Sequence, residues 1–189
     1  MKCRKTILFG GSFDPIHKGH LHIMNLVSKY TDYERLIIMP ANISAFKQDN
    51  KTLSSDHRFN MINIALKEFS TNLEILVSDI EIERKGVSYT FDTVKKLYEE
   101  FNIEGKLGIL VGSDIVKDLP RWHKIEELKE IADFIVFSRD DEVEESSSYT
   151  YIKSEVFNAS STDVRNGNYE ILTEGVREYV KSNRLFKSC

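Results

Sequence analysis

Two histidines stand three residues apart in a segment that opens with a pair of glycines. The segment reads Gly10-Gly11-Ser12-Phe13-Asp14-Pro15-Ile16-His17-Lys18-Gly19-His20. Glycines let a backbone approach a phosphate closely, and free N–H groups at the start of a helix favour an anion. His17 and His20 would face one side of the incoming helix and donate hydrogen bonds as charge builds on a phosphate. We interpret the segment as a phosphate site; the alternatives are incidental histidines at a helix entry or half of a metal site.

A second segment with anion-binding residue types lies near the C-terminus. It reads Ser160-Ser161-Thr162-Asp163-Val164-Arg165. The guanidinium of Arg165 can grip a phosphate with two hydrogen bonds. Serine or threonine before a helix also serves as an ordinary N-cap, and this plainer interpretation stays open for the hydroxyls. Taken together, the two segments predict a polyphosphate ligand.

Short apolar strands alternate with helices, and this alternation positions both segments. The predicted strands are 7–9, 35–39, 73–77, 107–111, 134–137 and 151–157; the predicted helices are 19–30, 54–66, 88–97, 124–131 and one around 176–185. Such alternation predicts parallel βαβ units and a doubly wound, mostly parallel α/β sheet of Rossmann-like type. Ligands of these sheets bind beyond the carboxyl ends of the strands, where both segments fall. Residues 41–53 are polar and aperiodic, and we predict a loop there.

Length and charge exclude several classes of protein. The 189 residues favour one domain over 1–189, and 26 basic against 30 acidic residues give a net charge of −4. This balance argues against binding nucleic acid or an anionic membrane. Two cysteines near opposite ends, Cys3 and Cys189, indicate neither a disulfide framework nor a zinc site. Since no apolar run is long enough for a signal peptide or a membrane span, we expect a cytoplasmic protein; homo-oligomerisation stays open.

These segments resemble the signatures of the H-x-G-H nucleotidyltransferase superfamily. Residues 10–20 match G-G-x-F-D-P-x-H-x-G-H, and residues 160–165 are similar to I-S-S-T-x-x-R, with Ala159 in place of isoleucine. Three more segments resemble the bacterial nicotinate-nucleotide adenylyltransferases in particular. They are Asp79–Thr93 with its S-Y-T element, Gly112–Trp122, and Pro40–Lys47. The resemblance covers nearly the whole chain.

The resemblance implies a reaction and a division of labour among residues. ATP and nicotinic acid mononucleotide would form the dinucleotide deamido-NAD and pyrophosphate, with Mg²⁺ and without a covalent enzyme intermediate. His17 and His20 would contact the ATP phosphates, with His20 as the stabiliser at the α-phosphorus; no residue is implied as a metal ligand. The remaining ATP-binding residues implied are Gly10, Gly11, Ser12, Lys47, Gly112, Asp114, Ser161, Thr162 and Arg165.

A further group of residues has side-chain types that suit a pyridine mononucleotide. Trp122 is the only tryptophan, and its face is suited to stacking on an electron-poor ring, although a core position beside Pro120 is the alternative. Tyr89 and Thr90, at a predicted helix start, could present amides to the nicotinate carboxylate. The alternative there is a threonine cap beside a packing tyrosine. We predict these three residues as the mononucleotide site.

One loop departs from the family pattern. Where the family has P-P-H-K, this chain has Ser44-Ala45-Phe46-Lys47, which keeps the cation and loses the prolines and the histidine. Two alternative functions stay open beside the leading one. The first is use of the amide, nicotinamide mononucleotide, alone or in addition to the acid. The second is a catalytically silent nucleotide sensor, which the presence of His17, His20 and Arg165 disfavours. A pantetheine-phosphate adenylyltransferase has no use for the S-Y-T and tryptophan elements.

Overall fold

The computed structural model describes residues 3–41, 43–44, 52–84, 86–138, 149–153 and 159–186. Its strands, in chain order, are β1 Thr6–Gly11, β2 Arg35–Pro40, β3 Ile43–Ser44, β4 Glu74–Val77, β5 Val87–Ser88, β6 Leu107–Gly112, β7 Ala132–Ser138 and β8 Thr150–Lys153. Six of them form one parallel sheet in the order β4-β2-β1-β6-β7-β8. The direction of winding reverses between β1 and β6. A crevice beyond the carboxyl ends of these two strands is therefore the expected ligand site.

Helices cover both faces of the sheet. They are α1 Lys18–Tyr30, α2 Ser55–Lys67, α3 Ile80–Arg84, α4 Thr90–Glu100, α5 Ile125–Ile131, α6 Ser161–Arg165 and α7 Glu174–Ser182, with 3₁₀ turns at Ser113–Arg121 and Tyr169–Ile171. One apolar cluster packs α1, α2, α6 and α7 on one face, and the other packs α3, α4, α5 and the first 3₁₀ turn on the opposite face. The predicted doubly wound α/β fold is confirmed.

Alternation along the strands explains why both faces are filled. In β1, Ile7 and Phe9 join the first cluster and Leu8 joins the second. In β2, Ile37 likewise faces the second cluster while its neighbours face the first. Successive side chains of a strand point to opposite faces, so a strand covered by helices on both sides is apolar throughout.

The structure differs from the prediction in the connecting segments. Residues 41–53 were predicted to be a loop, but they contain β3, which pairs in parallel with β5 as a separate two-stranded sheet. A strand of two residues is too short to produce a hydrophobic period. Helix α3 and the 3₁₀ turn at Ser113–Arg121 were not predicted. Of the strand predicted over 151–157, β8 supplies residues 151–153 and begins one residue earlier, and 154–157 lie outside the described residues.

In the part of the chain that the structure describes, no helix combines the length and the apolar character needed to cross a bilayer.

Candidate active site

The end of β1 and the turn that follows it have free space on one side and close packing on the other. A Cβ added at Gly10 would meet nothing within 4 Å, so there is free space over this residue. A Cβ at Gly11 would lie 3.2 Å from the ring of Phe13, which is itself buried. The φ of Phe13 is +46°, a left-handed conformation that non-glycine residues seldom adopt. The turn thus holds a sharp backbone shape beneath an accessible surface.

The two histidines meet at the start of α1, as predicted. Their ring centroids are 3.8 Å apart, and His17, the residue before the helix, is 5% exposed. The backbone N–H of His17 donates to Nδ1 of His20 at 3.1 Å. Because Nδ1 accepts this bond, the neutral ring of His20 carries its proton on Nε2. His20 is therefore fixed as an Nε2–H donor.

Gly19 is the point at which the two predicted motifs meet. A Cβ on this residue would lie 3.0 Å from the ring of His17 and 3.3 Å from the Cβ of Ala159. Ala159 is 3% exposed and comes directly before the C-terminal motif. The glycine lets the imidazole and Ala159 pack over the first turn of α1, so it fixes both motifs relative to one another.

The C-terminal motif both caps its own helix and binds the first motif. Ser160 is the N-cap: its Oγ accepts from the Asp163 N–H at 3.1 Å, so the plainer interpretation is correct for this residue.

Ser161 instead donates from Oγ to the Pro15 carbonyl at 3.0 Å. Arg165 donates to the Asp14 carbonyl at 2.7 Å and to the Thr162 hydroxyl at 2.8 Å. Its side chain remains 39% exposed.

Two buried charged residues that the sequence interpretation gave no role lie beneath the turn. Asp14 is 1% exposed; its carboxylate accepts from the Leu53 N–H at 3.3 Å and lies 3.9 Å from Nη1 of Arg165. Burial raises the pKa of the Asp14 carboxyl group, against the opposing effect of Arg165 and Arg58. Arg58, in α2, is 2% exposed, and burial lowers the pKa of its guanidinium. No sequence signal marked Arg58, since an arginine within a helix is ordinarily solvated.

The predicted adenosine residues follow β6, which lies next to β1. Gly112 ends this strand, and a Cβ on it would collide with Oδ1 of Asp114. The glycine therefore allows the Asp114 side chain to fold back over the strand end, where it is exposed. Lys47, the predicted phosphate-loop cation, lies outside the described residues.

The predicted mononucleotide residues surround the start of α4 and the end of the first 3₁₀ turn. Tyr89, the residue before α4, is 43% exposed and its ring lies 4.6 Å from that of His123, which the sequence interpretation missed. Trp122 is half-buried against the edge of Phe134 at 6.0 Å. Its indole N–H is buried and donates to no described residue. Thr90, the first residue of α4, is half-buried. Trp122 is thus partly a core residue, as the alternative interpretation held.

Comparison with known proteins finds relatives over nearly the whole chain. The cytidylyltransferase-like family profile matches residues 8–167. The probable nicotinate-nucleotide adenylyltransferase of Lactococcus lactis is 35% identical over 97% of this chain and 96% of its own length. The nicotinate-nucleotide adenylyltransferase of Bacillus subtilis is 32% identical over 98% of this chain and all of its own. The chain belongs to the nicotinate-nucleotide adenylyltransferase family.

A solved structure shares the fold of this family member. The Plasmodium falciparum nicotinic acid mononucleotide adenylyltransferase complexed with NaAD superposes with a TM-score of 0.79 at 22% identity, covering 96% of this chain and 97% of that one. At this identity, the likeness concerns the fold. As an adenylyltransferase the chain needs a triphosphate site beside a nucleotide acceptor site. The first motif follows β1, and Gly112 and Asp114 follow the adjacent β6, so these two segments lie at the same edge of the sheet.

Proposed function

We propose that this protein transfers the adenylyl group of ATP to nicotinic acid mononucleotide, forming deamido-NAD and pyrophosphate, a step of NAD biosynthesis. One observation carries the proposal. The histidine pair of the first motif and Arg165 of the second are fixed together at the end of β1 by the bond from Arg165 to the Asp14 carbonyl. The reaction named by the relatives requires such a cluster of phosphate-binding donors.

The proposed chemistry is a direct displacement at the α-phosphorus of ATP. A phosphate oxygen of the mononucleotide forms the new P–O bond, and the bond to the bridging oxygen of pyrophosphate breaks. His20, with its Nε2 proton fixed by the bond at Nδ1, donates to the α-phosphate oxygen as charge accumulates there. His17 contacts the adjoining phosphates. Positioning and charge stabilisation suffice for this chemistry, so no enzyme nucleophile is needed.

The remaining ATP contacts follow from the geometry around the turn. Open space over Gly10 admits phosphate oxygens close to the backbone of Gly11 and Ser12. Arg165, together with the hydroxyls of Ser161 and Thr162, would hold the outer phosphates. Gly112 and Asp114 would contact the adenosine, and Lys47 would add a cation.

The mononucleotide would lie between Tyr89, Thr90 and Trp122. An indole face suits the electron-poor pyridinium ring, and amides at the start of α4 suit its carboxylate. The neighbouring ring of His123 lengthens the aromatic surface beside Tyr89. Selection of the acid over the amide would then depend on hydrogen-bond donors at the carboxylate end.

Mg²⁺ would arrive with the triphosphate. Within the described residues, no three histidine, cysteine or acidic side chains form a group able to hold a metal ion. Mg²⁺ is commonly held by substrate phosphates, water and one or two carboxylates. Bound Mg²⁺ would neutralise part of the negative charge of the phosphates. We further propose that residues 1–189 act as one nucleotidyltransferase domain in the cytoplasm; whether the protein self-associates stays open.

The experiment measures pyrophosphate release from ATP and Mg²⁺ with nicotinic acid mononucleotide or nicotinamide mononucleotide, side by side. We expect a strong preference for the acid. Comparable rates with both would replace the proposal by a dual-specificity enzyme with a relaxed carboxylate site. Release with neither substrate, by protein that still binds ATP, would overturn it in favour of a nucleotide sensor.

A further inference from the structure

Arg58 is a buried cation whose described hydrogen-bond partners are all backbone carbonyls. Its Nη1 donates to the Ser12 carbonyl at 2.8 Å and to the Ala41 carbonyl at 2.7 Å. Its Nε donates to the Leu53 carbonyl at 3.1 Å. One planar guanidinium therefore joins the turn after β1, the exit of β2 and the entry of α2. A lysine could not bond to all three carbonyls in the same way, because its donors are on one nitrogen atom, whereas those of a guanidinium are spread over three nitrogen atoms in a plane.

The bond to Ser12 controls the shape of the phosphate turn. The Ser12 carbonyl belongs to the peptide unit that precedes Phe13, the residue with a φ of +46°. In a trans peptide, the carbonyl and the next N–H point in opposite directions. Since the carbonyl faces Arg58, the Phe13 N–H points away from the buried guanidinium. Neither this N–H nor that of Ser12 donates to a described residue.

Further bonds join the same segments around Arg58. The Ala41 N–H donates to the Gly11 carbonyl at 2.8 Å, and the Leu53 N–H donates to the Asp14 carboxylate at 3.3 Å. A left-handed conformation is unfavourable at a non-glycine residue, so it persists only where surrounding bonds impose it. Arg58 holds the carbonyl that defines this conformation.

Arg58 also keeps its charge beneath the turn. Its three hydrogen bonds to carbonyls orient the guanidinium without neutralising it. Asp14, the acid whose charge acts on it, also lies 3.9 Å from Nη1 of Arg165. The positive charge of Arg58 therefore lies beneath the turn to which the proposed function assigns the ATP phosphates.

We propose that Arg58 is a positioning residue for nucleotide binding: its guanidinium fixes the turn from Gly10 to Asp14 in the shape that offers backbone N–H groups to the ATP phosphates. This inference rests on the proposed function in that ATP is the ligand. It assigns Arg58 no contact with the substrate. The effect of replacing it should therefore be selective for the nucleotide whose phosphates the turn binds.

The test compares Arg58→Lys with a matched control, Arg35→Lys. Arg35 is also buried, at 4% exposed, but it pairs with Glu74 at 2.7 Å at the opposite end of the sheet. For both variants, the Michaelis constants for ATP and for the mononucleotide, kcat and the unfolding midpoint are measured. Binding of an α,β-methylene ATP analogue is measured by calorimetry, which needs no turnover.

We expect Arg58→Lys to raise the Michaelis constant for ATP and the dissociation constant of the analogue about tenfold, because a positioned, hydrogen-bonded charge is lost. The Michaelis constant for the mononucleotide should be nearly unchanged. Arg35→Lys should lower the unfolding midpoint and leave both substrate constants as they are. Wild-type affinity for the analogue in Arg58→Lys would overturn the inference. An equal rise for both substrates, or the same rise in Arg35→Lys, would show a merely structural role.

A measurement on the wild-type protein covers the case in which Arg58→Lys does not fold. Hydrogen exchange at the Ser12 and Phe13 amides should slow when the ATP analogue binds. Exchange that is unchanged at both amides would overturn the inference, because the turn would then not contact the nucleotide. The analogue experiments also separate this inference from the proposed function, which fails on its own if the wild type binds ATP but releases no pyrophosphate.

Discussion

The basic side chains at the two ends of the sheet have different hydrogen-bond partners. At the amino end, acidic side chains are among the partners: Glu74 lies 2.7 Å from Nε of Arg35 and 3.5 Å from Nε of Arg4. Asp133 lies 3.8 Å from Nζ of Lys106, which also donates to the Lys129 carbonyl at 2.8 Å. At the carboxyl end, backbone carbonyls do most of this work. Arg58 and Arg165 bond to carbonyls of the turn after β1 in this way.

The kind of partner decides whether the positive charge of each side chain is neutralised. A carboxylate partner cancels the charge of a cation, whereas a carbonyl orients the cation and leaves its charge in place. At the amino end, the Glu74 carboxylate thus offsets the charge of Arg35 and holds neighbouring strands together. The carboxyl end keeps positive charge in fixed positions, which an anionic ligand needs. Replacing residues at the carboxyl end should thus affect activity first, and replacing residues at the amino end should affect stability.

The largest effect is expected from His20→Ala. Removing a donor to the developing charge should lower kcat by about 10²-fold or more, with little change in the unfolding midpoint. Steady-state kinetics checks this, with His22→Ala as the control, since His22 lies two residues further along α1 and has no proposed role. Near-normal turnover in His20→Ala would refute its assignment.

Gly19→Ala should have the next largest effect. The added methyl group would lie 3.0 Å from the His17 ring and 3.3 Å from the Cβ of Ala159, so one of them must shift. We expect a loss of kcat of roughly tenfold, with a destabilisation of about 1–3 kcal/mol from overpacking. Kinetics together with denaturant unfolding separates the two effects. Unchanged kcat would mean that His17 tolerates displacement.

Trp122→Ala should act on one substrate. Loss of the stacking face should raise the mononucleotide Michaelis constant about fivefold or more, with a smaller change in kcat and none in the ATP constant. Trp122→Phe keeps an aromatic ring and should restore most of the affinity. If the alanine variant loses stability but keeps both Michaelis constants, Trp122 belongs to the core alone.

The smallest effect is expected from Glu74→Gln at the amino end. The Glu74 carboxylate is 37% exposed, so solvent screens its ion pair and the loss at neutral pH should be below about 1 kcal/mol. The hydrogen bond from Arg35 lowers the pKa of Glu74 from its ordinary value of 4.5. A lowered carboxyl pKa contributes stability above the unfolded value, and this contribution is lost as the pH falls through the folded value.

The wild type should therefore lose stability below about pH 4.5 more steeply than Glu74→Gln. Thermal unfolding across this pH range checks the prediction, and pyrophosphate release at neutral pH should be the same for both proteins. Identical pH profiles of stability would show that the ion pair contributes nothing. Reduced activity would contradict the assignment of the amino end to stability alone.

The fold was predictable because its signal is periodic. Buried strands such as Leu36–Met39 are apolar on both faces, and the helices between them repeat apolar residues at helical spacing. The pairing of His17 with His20 followed from their separation of three residues. Spacing along one helix is local information, which the sequence carries directly.

The parts that sequence reasoning missed depend on contacts between distant segments. Arg58 binds backbone carbonyls, and carbonyls are present at every position, so no residue type marks its partners. The ring pair of Tyr89 and His123 joins two segments whose approach depends on tertiary packing. Gly19 was noticed, but its function as the contact with Ala159 needs the C-terminal motif in place.

The bonds between the two motifs have a consequence for biosynthesis. Ser161 is 146 residues from its partner Pro15, and Arg165 is 151 residues from Asp14. A ribosome adding about 5–20 residues per second exposes the first motif on the order of ten seconds before the second exists. Throughout that interval, a nascent chain carries both histidines without Arg165, which bonds to the turn beside them. Translation itself thus delays activity. A chain cut short before Ser160 would also lack the apolar residues that α6 and α7 add to the first cluster, so we expect it to be neither stably folded nor active.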